Sequence, residues 1–156
     1  MTNPAKAPNQ IMGVYDKSLV EPIANVLKGL NSRHVMVVHS EDGLDEFSIA
    51  NSTYVAELKD NNISTYTVHP GDFGLEEGNL DSIKAENAEQ SLALINEAFS
   101  GKKGVARDII ALNAGAAIYV SGLVSSFDEG VTQANQILSD GSAQDKLDAY
   151  ILASNS

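Results

Sequence analysis

The chain contains no cysteine, which excludes disulfide staples, thiolate nucleophiles and cysteine-held metals at once. Absence of cysteine suits a reducing compartment, so a cytoplasmic location is the default expectation. Basic residues are scarce: 10 lysines and arginines stand against 21 acidic residues, a formal net charge of −11. A surface of that sign repels polyphosphate backbones. Lys102-Lys103 is the only adjacent basic pair, so no nucleic-acid partner is expected. No apolar run approaches the ~20 residues that span a membrane, and Met1 to Lys6 lacks the apolar stretch of a secretory leader. No Gly-x-Gly run opens a helix, which leaves out the loop that cradles phosphates at a helix start. Nothing resembles a nucleophile elbow.

What is present is enough for one domain. The 156 residues are 43% hydrophobic and 20% charged, and a chain of that length buries roughly 70% of its unfolded surface. After an irregular lead-in with Pro4 and Pro8, Ile11 to Tyr15 has the apolar pattern of a buried strand. Ser18 and Glu21 stand at capping-box spacing. Leu19, Ile23, Val26, Leu27 and Leu30 follow at helical intervals, Pro22 must lie in the first turn, and Asn31 can stop the helix. His34 to His39 is a second buried-strand pattern. Strand, helix and strand within about 30 residues form a βαβ unit, whose strands pair in parallel.

The second strand runs into Glu41-Asp42-Gly43-Leu44-Asp45-Glu46. Carboxylates therefore gather at the C-terminal end of a parallel strand, where open α/β sheets bind ligands. Thr53 to Leu58 and Ile63 to Val68 flank Lys59-Asp60-Asn61-Asn62, the pattern of a hairpin. Beyond residue 85 the spacing is helical. Ala88, Leu92, Ile95 and Phe99 share one predicted face, with Gly101 as a stop. Val105, Ile109, Leu112, Ala116, Tyr119 and Leu123 share the next. Ser126 and Glu129 form a second capping-box pattern ahead of Val131, Ala134 and Leu138, and a last helix carries Leu147, Tyr150 and Ile151. The expected fold class is α/β: a parallel βαβ core with a β-hairpin, followed by a packed set of C-terminal helices in one domain over residues 1–156.

Thr2-Asn3-Pro4-Ala5, Gly13-Val14-Tyr15, Val37-Val38-His39 and Asp42-Gly43-Leu44-Asp45-Glu46 resemble, in order and spacing, the anthranilate phosphoribosyltransferases. Asp72-Phe73-Gly74-Leu75, Glu86-Asn87-Ala88, Ala106-Arg107-Asp108 and Leu112-Asn113-Ala114-Gly115-Ala116-Ala117 extend the likeness over nearly the whole chain. The resemblance implies a piece of the nucleoside phosphorylase/phosphoribosyltransferase catalytic domain, its C-terminal portion. It also implies transfer of phosphoribosyl from phosphoribosyl pyrophosphate to anthranilate with Mg²⁺, in tryptophan biosynthesis, by an enzyme that is a homodimer when intact. The family's Gly-rich phosphate loop and its helical domain would lie upstream. The isolated chain is therefore expected to be inactive, and an exposed sheet edge or apolar patch is expected to invite self-association. Two other readings stay open: a piece of a pyrimidine nucleoside phosphorylase-like enzyme, or a non-catalytic binding or regulatory domain derived from this half.

By that resemblance Asp45 and Glu46 are the magnesium ligands. Their chemistry agrees, because Mg²⁺ is usually held by one or two carboxylates together with substrate phosphates. A solvated, capping loop is the alternative. Glu41 and Asp42 are either outer support for that ion or surface charge. Ser40 stands where the family usually has glycine. Asn3 is a candidate substrate contact, though Asn beside Pro is also a turn former. No residue is assigned a catalytic role. His34, His39 and His69 lack metal-ligand spacing and are expected to be structural. The small residues of Asn113 to Ala117 suggest close helix packing.

Overall fold

A computed structural model describes residues 7–155. Asn3 lies outside them. β1 (Asn9–Gly13) pairs in parallel with β2 (His34–Ser40) through the crossover helix α1 (Val20–Gly29), so the βαβ unit is present. β1 begins two residues ahead of the apolar run, and Val14, just past its end, still donates its amide to the Val38 carbonyl at 3.0 Å. β3 (Thr53–Lys59) and β4 (Asn62–Val68) form the hairpin and extend the sheet antiparallel, giving the order β1-β2-β3-β4. Asp60 and Asn61 both have positive φ, 50° and 61°. That two-residue turn matches the right-handed twist of the strands.

β2 is the central strand, and its run Val35 to Val38 is fully buried because both faces are covered. Val35 and Val37 meet Ala24 and Leu27 of α1 on one side. Met36 and Val38 meet Leu112, Ala116 and Val120 on the other. The latter belong to α3 (Val105–Ser121), which crosses α4 (Phe127–Ser139). α2 (Ala88–Phe99) and α5 (Ser142–Ser154) pack behind that pair. Each buried Val or Leu in these layers stabilises the fold by about 1.5–3 kcal/mol.

Gly115 and Gly130 set how closely α3 and α4 approach. A Cβ on Gly115 would fall 2.6 Å from the Val131 backbone, and one on Gly130 would fall 2.2 Å from the Gly115 carbonyl oxygen. The small-residue run after Asn113 does serve close packing. Arg107, itself buried, ties the same helices by donating to the Asn135 carbonyl at 3.1 Å and Ser139 Oγ at 2.8 Å.

Several local expectations shift. The Ser18 capping box does not form: Asp16 accepts from the Ser18 amide and hydroxyl at a 3-10 turn, and α1 has no side-chain cap. Glu21 instead accepts from the Tyr54 hydroxyl at 2.9 Å, a tertiary bond that overrides the local one. Asn31, at φ 63°, does close α1. Ser126 caps α4 as expected, but Glu129 reaches back to the Ser125 amide, one residue further than the box predicts. In α2 the packed face is Leu94, Ile95, Ala98 and Phe99, while Ala88 and Leu92 face solvent. Leu123 lies past the end of α3 and is exposed, and α5 leaves Tyr150, Ile151 and Leu152 exposed. Spacing alone marks an apolar stripe but not which neighbours exist to cover it. No helix among the described residues is long and apolar enough to cross a membrane.

Candidate metal site at the C-terminal end of β2

Beyond Ser40 the chain leaves the sheet and turns back under α3. Phe47, Ser48 and Ile49 are fully buried, whereas Asp45 and Glu46 are exposed. Burial of Phe47 against Phe127 (ring centroids 5.0 Å apart) anchors the loop and turns the two carboxylates out. They line a groove of about 650 Å³ whose wall includes Leu44, Ile83, Ile110 and Asn113. Among the described residues neither carboxylate makes a hydrogen bond or ion pair. Lys84, on the same groove, is paired with Asp81 at 2.6 Å.

The backbone beneath the pair is fixed at several points. Gly13 ends β1 directly against the loop: a Cβ there would lie 1.5 Å from the Asp45 carbonyl oxygen. Only glycine permits that approach. Asn113 of α3 takes both backbone groups of Phe47, its Oδ1 accepting from the amide at 3.0 Å and its Nδ2 donating to the carbonyl at 2.8 Å. The amide orientation is dictated by its partners, because one offers a proton and the other a lone pair. Asp42 faces inward. It accepts from the Ser48 hydroxyl and from the Leu44 amide. Burial works against its charge, but bonds from Ser48, Ser40, Leu44 and Asn51 outweigh it and hold the carboxyl below its ordinary value. Ser48 Oγ in turn accepts from the Ala50 amide, and Thr53 Oγ1 accepts from the Ser48 amide.

Asp45 and Glu46 are thus brought together on one groove, while Asp42 is structural support for their loop. Glu41 is exposed. Ser40 is fully buried without strain, its hydroxyl donating to the Ser52 carbonyl at 3.3 Å. The histidines act as connectors. His39 Nδ1 lies 2.8 Å from the Val14 carbonyl, so it carries the proton, and His69 caps a 3-10 turn by accepting from the Gly71 amide. His34 belongs to a buried network at the opposite end of the sheet. Sequence reasoning missed Asn113 and Gly13 as parts of the site. The signal for Gly13 was a glycine at the end of a strand, which often marks close backbone approach.

The donor set suits a hard cation. Asp45 and Glu46 offer carboxylate oxygens, the donor type a hard cation takes, although no group of three or more His, Cys, Asp or Glu that could hold a metal ion assembles among the described residues. Such an open two-carboxylate site matches Mg²⁺ that shares its shell with water and phosphate.

A parallel βαβ unit with an acidic loop at its carboxyl end belongs to a defined class. The chain belongs to the glycosyl transferase family, whose α/β domain matches residues 1–144. More particularly, it is 62% identical over 151 residues to the anthranilate phosphoribosyltransferase of Ruthia magnifica subsp. Calyptogena magnifica, covering 97% of this chain and 44% of that protein. The corresponding protein of Marinomonas sp. (strain MWYL1) is 54% identical over 149 residues, or 94% of this chain and 43% of that one. Among solved structures, anthranilate phosphoribosyltransferase from Thermus thermophilus superposes with TM-score 0.81 at 32% identity, covering 90% of this chain and 41% of that one. The Saccharomyces cerevisiae enzyme in complex with PRPP and Mg superposes with TM-score 0.77 at 28% identity, with the same coverage. The chain spans about 44% of the length of the curated relatives that it matches.

Proposed function

We propose that this chain forms the magnesium-binding part of an enzyme that transfers phosphoribosyl from phosphoribosyl pyrophosphate to anthranilate, a step of tryptophan biosynthesis in the cytoplasm. The observation that carries this reading is the pair Asp45 and Glu46. They are exposed and unpaired on a groove, on a loop pinned by Gly13 and Asn113, within a chain 62% identical to such an enzyme. Asp45 and Glu46 would hold Mg²⁺ with the substrate's pyrophosphate completing its shell. Bound there, the ion supplies counter-charge for the leaving pyrophosphate as the ribosyl carbon becomes cation-like. The pinned loop keeps the two carboxylates in place without reorganisation, and the fully buried Phe47 and Ile49 keep water from beneath them.

This chain provides no Gly-rich phosphate loop. Positioning of two substrates contributes several kcal/mol to such reactions, so the chain alone gives no turnover. The intact enzyme would be a homodimer. The test follows anthranilate fluorescence with phosphoribosyl pyrophosphate and Mg²⁺, using this chain alone and mixed with the part of the Ruthia magnifica relative that it does not cover. Turnover is expected only in the mixture, and Asp45→Asn with Glu46→Gln should lower it by about 100-fold or more. Steady turnover by the chain alone, or an active mixture indifferent to the double substitution, would overturn the reading.

A further inference from the structure

We infer that Asn113 is a positioning residue for the metal ligands: its side-chain amide fixes the direction of the Asp45-Glu46 pair through the backbone of Phe47. The inference rests on the magnesium reading of that pair. Asn113 sits mid-helix, where a short amide side chain contributes little to helix formation and alanine would be preferred. It nonetheless directs both polar ends to Phe47. Oδ1 accepts from the Phe47 amide and Nδ2 donates to the Phe47 carbonyl, with a further bond from Nδ2 to the Ile109 carbonyl at 3.0 Å. Two antiparallel bonds to one residue are what a neighbouring β-strand would give it, and they fix both position and rotation of the peptide.

Phe47 directly follows Glu46, so rotation of its amide plane swings Glu46. The opposite side of the loop is closed by Gly13, whose Cα faces the Asp45 carbonyl with no room for a methyl group. Asp45 and Glu46 themselves receive no side-chain support among the described residues. Their orientation is therefore set through the backbone, and Asn113 is the polar group from α3 that sets it. In metal sites where a second residue directs a ligand, its loss typically weakens binding by 10–100-fold.

The experiment titrates this chain with Mn²⁺ alone as a probe, reading water-proton relaxation, and records thermal midpoints of the same samples. The component that Asp45→Asn with Glu46→Gln abolishes is the site of interest. Asn113→Ala should weaken that component about tenfold. Ala111→Gly, earlier in α3 and buried against α4, should lower the thermal midpoint comparably and leave Mn²⁺ affinity unchanged. Asn113→Leu, which keeps the branched shape and loses the bonds to Phe47, carries the test where the alanine variant does not fold. Unaltered Mn²⁺ affinity in a folded Asn113 variant, or equal weakening by Ala111→Gly, would overturn the role of Asn113 while leaving the metal site standing. A double carboxamide variant that binds Mn²⁺ as before would instead overturn the magnesium reading itself, and this inference with it.

Discussion

Helix α3 meets carboxylates at two places, and treats them in opposite ways. Tyr119 lies six residues beyond Asn113, about 9 Å along the helix axis. There it donates its hydroxyl to Glu57 Oε1 at 2.8 Å, and His34 Nε2 approaches the same oxygen at 2.8 Å. The Tyr66 hydroxyl takes the other oxygen at 2.8 Å, and Lys59 bonds the Tyr119 hydroxyl at 3.1 Å while lying over its ring. Glu57 is only 8% exposed and has every demand met. At the Asn113 end the helix grips backbone and leaves Asp45 and Glu46 without partners. A carboxylate saturated with donors has no capacity left for a ligand. One held in place but unpaired keeps both its charge and its lone pairs for something that arrives. The comparison separates a saturated acid from an available one more sharply than burial does alone.

The strongest way to break that contrast is to delete the saturated acid. Glu57→Ala takes away the shared acceptor of the Tyr66 and Tyr119 hydroxyls and of His34 inside the fold, a change of the kind that costs about 3–5 kcal/mol. At this chain length that lowers the thermal midpoint by roughly 10 °C. Asp45→Asn with Glu46→Gln removes twice as many charges and should change stability by no more than about 0.5 kcal/mol, as exposed substitutions do. Thermal unfolding followed by circular dichroism tests both. Equal destabilisation by the two would erase the distinction between the ends of the sheet.

Acid should sharpen the contrast. Burial works to raise the Glu57 carboxyl, but hydrogen bonds from Tyr119, Tyr66 and His34 prevail and hold it below its ordinary value of 4.5. A carboxyl lowered in the folded state contributes stability that is present above the unfolded value and lost as pH falls through the folded one. Unfolding free energy should therefore decline as pH drops below about 4.5, with part of the decline absent in Glu57→Gln. Asp42 contributes with the same sign. Urea midpoints measured from neutral pH down into the acid range test it, and parallel curves for the two proteins would refute it.

Much of this was legible from the sequence, and the exceptions share one cause. The βαβ unit, the hairpin and the later helices announce themselves by apolar period and by turn residues such as Asp60, Asn61 and Gly101, all local signals. Asp45 and Glu46 were singled out by the family resemblance alone, and spacing did not foretell that they share a groove. Asn113 was not, because its partner Phe47 lies 66 residues away and nothing in a helical run of small residues distinguishes a clamp from a spacer. The Glu57 network was equally hidden: His34, Glu57, Tyr66 and Tyr119 come from three strands and a helix, and each alone resembles ordinary surface or core. Leu92 and Glu21 failed for the same reason, since neighbours distant in sequence decided their surroundings.

The finest test concerns Tyr66, the half-buried donor that β4 brings to Glu57. Its hydroxyl makes one bond, to Glu57 Oε2, and burial followed by the nearby Glu57 charge pushes its ionisation well above the ordinary tyrosine value. Tyr66→Phe removes that bond, while Glu57 keeps Tyr119 and His34 on its other oxygen. A loss of about 1.5–3 kcal/mol near neutral pH is expected, as for a single donor to an ionised acid. The difference should narrow above about pH 10. A phenol whose folded value is raised contributes stability that is present below the unfolded value and lost as pH rises towards the folded one, and the phenylalanine variant has no such loss at position 66. Urea midpoints at neutral pH and just above the ordinary tyrosine value read both effects. A constant difference across that range would mean that Tyr66 ionises as freely in the folded chain as in the unfolded one, and that the network around Glu57 is looser at its β4 edge than the geometry implies.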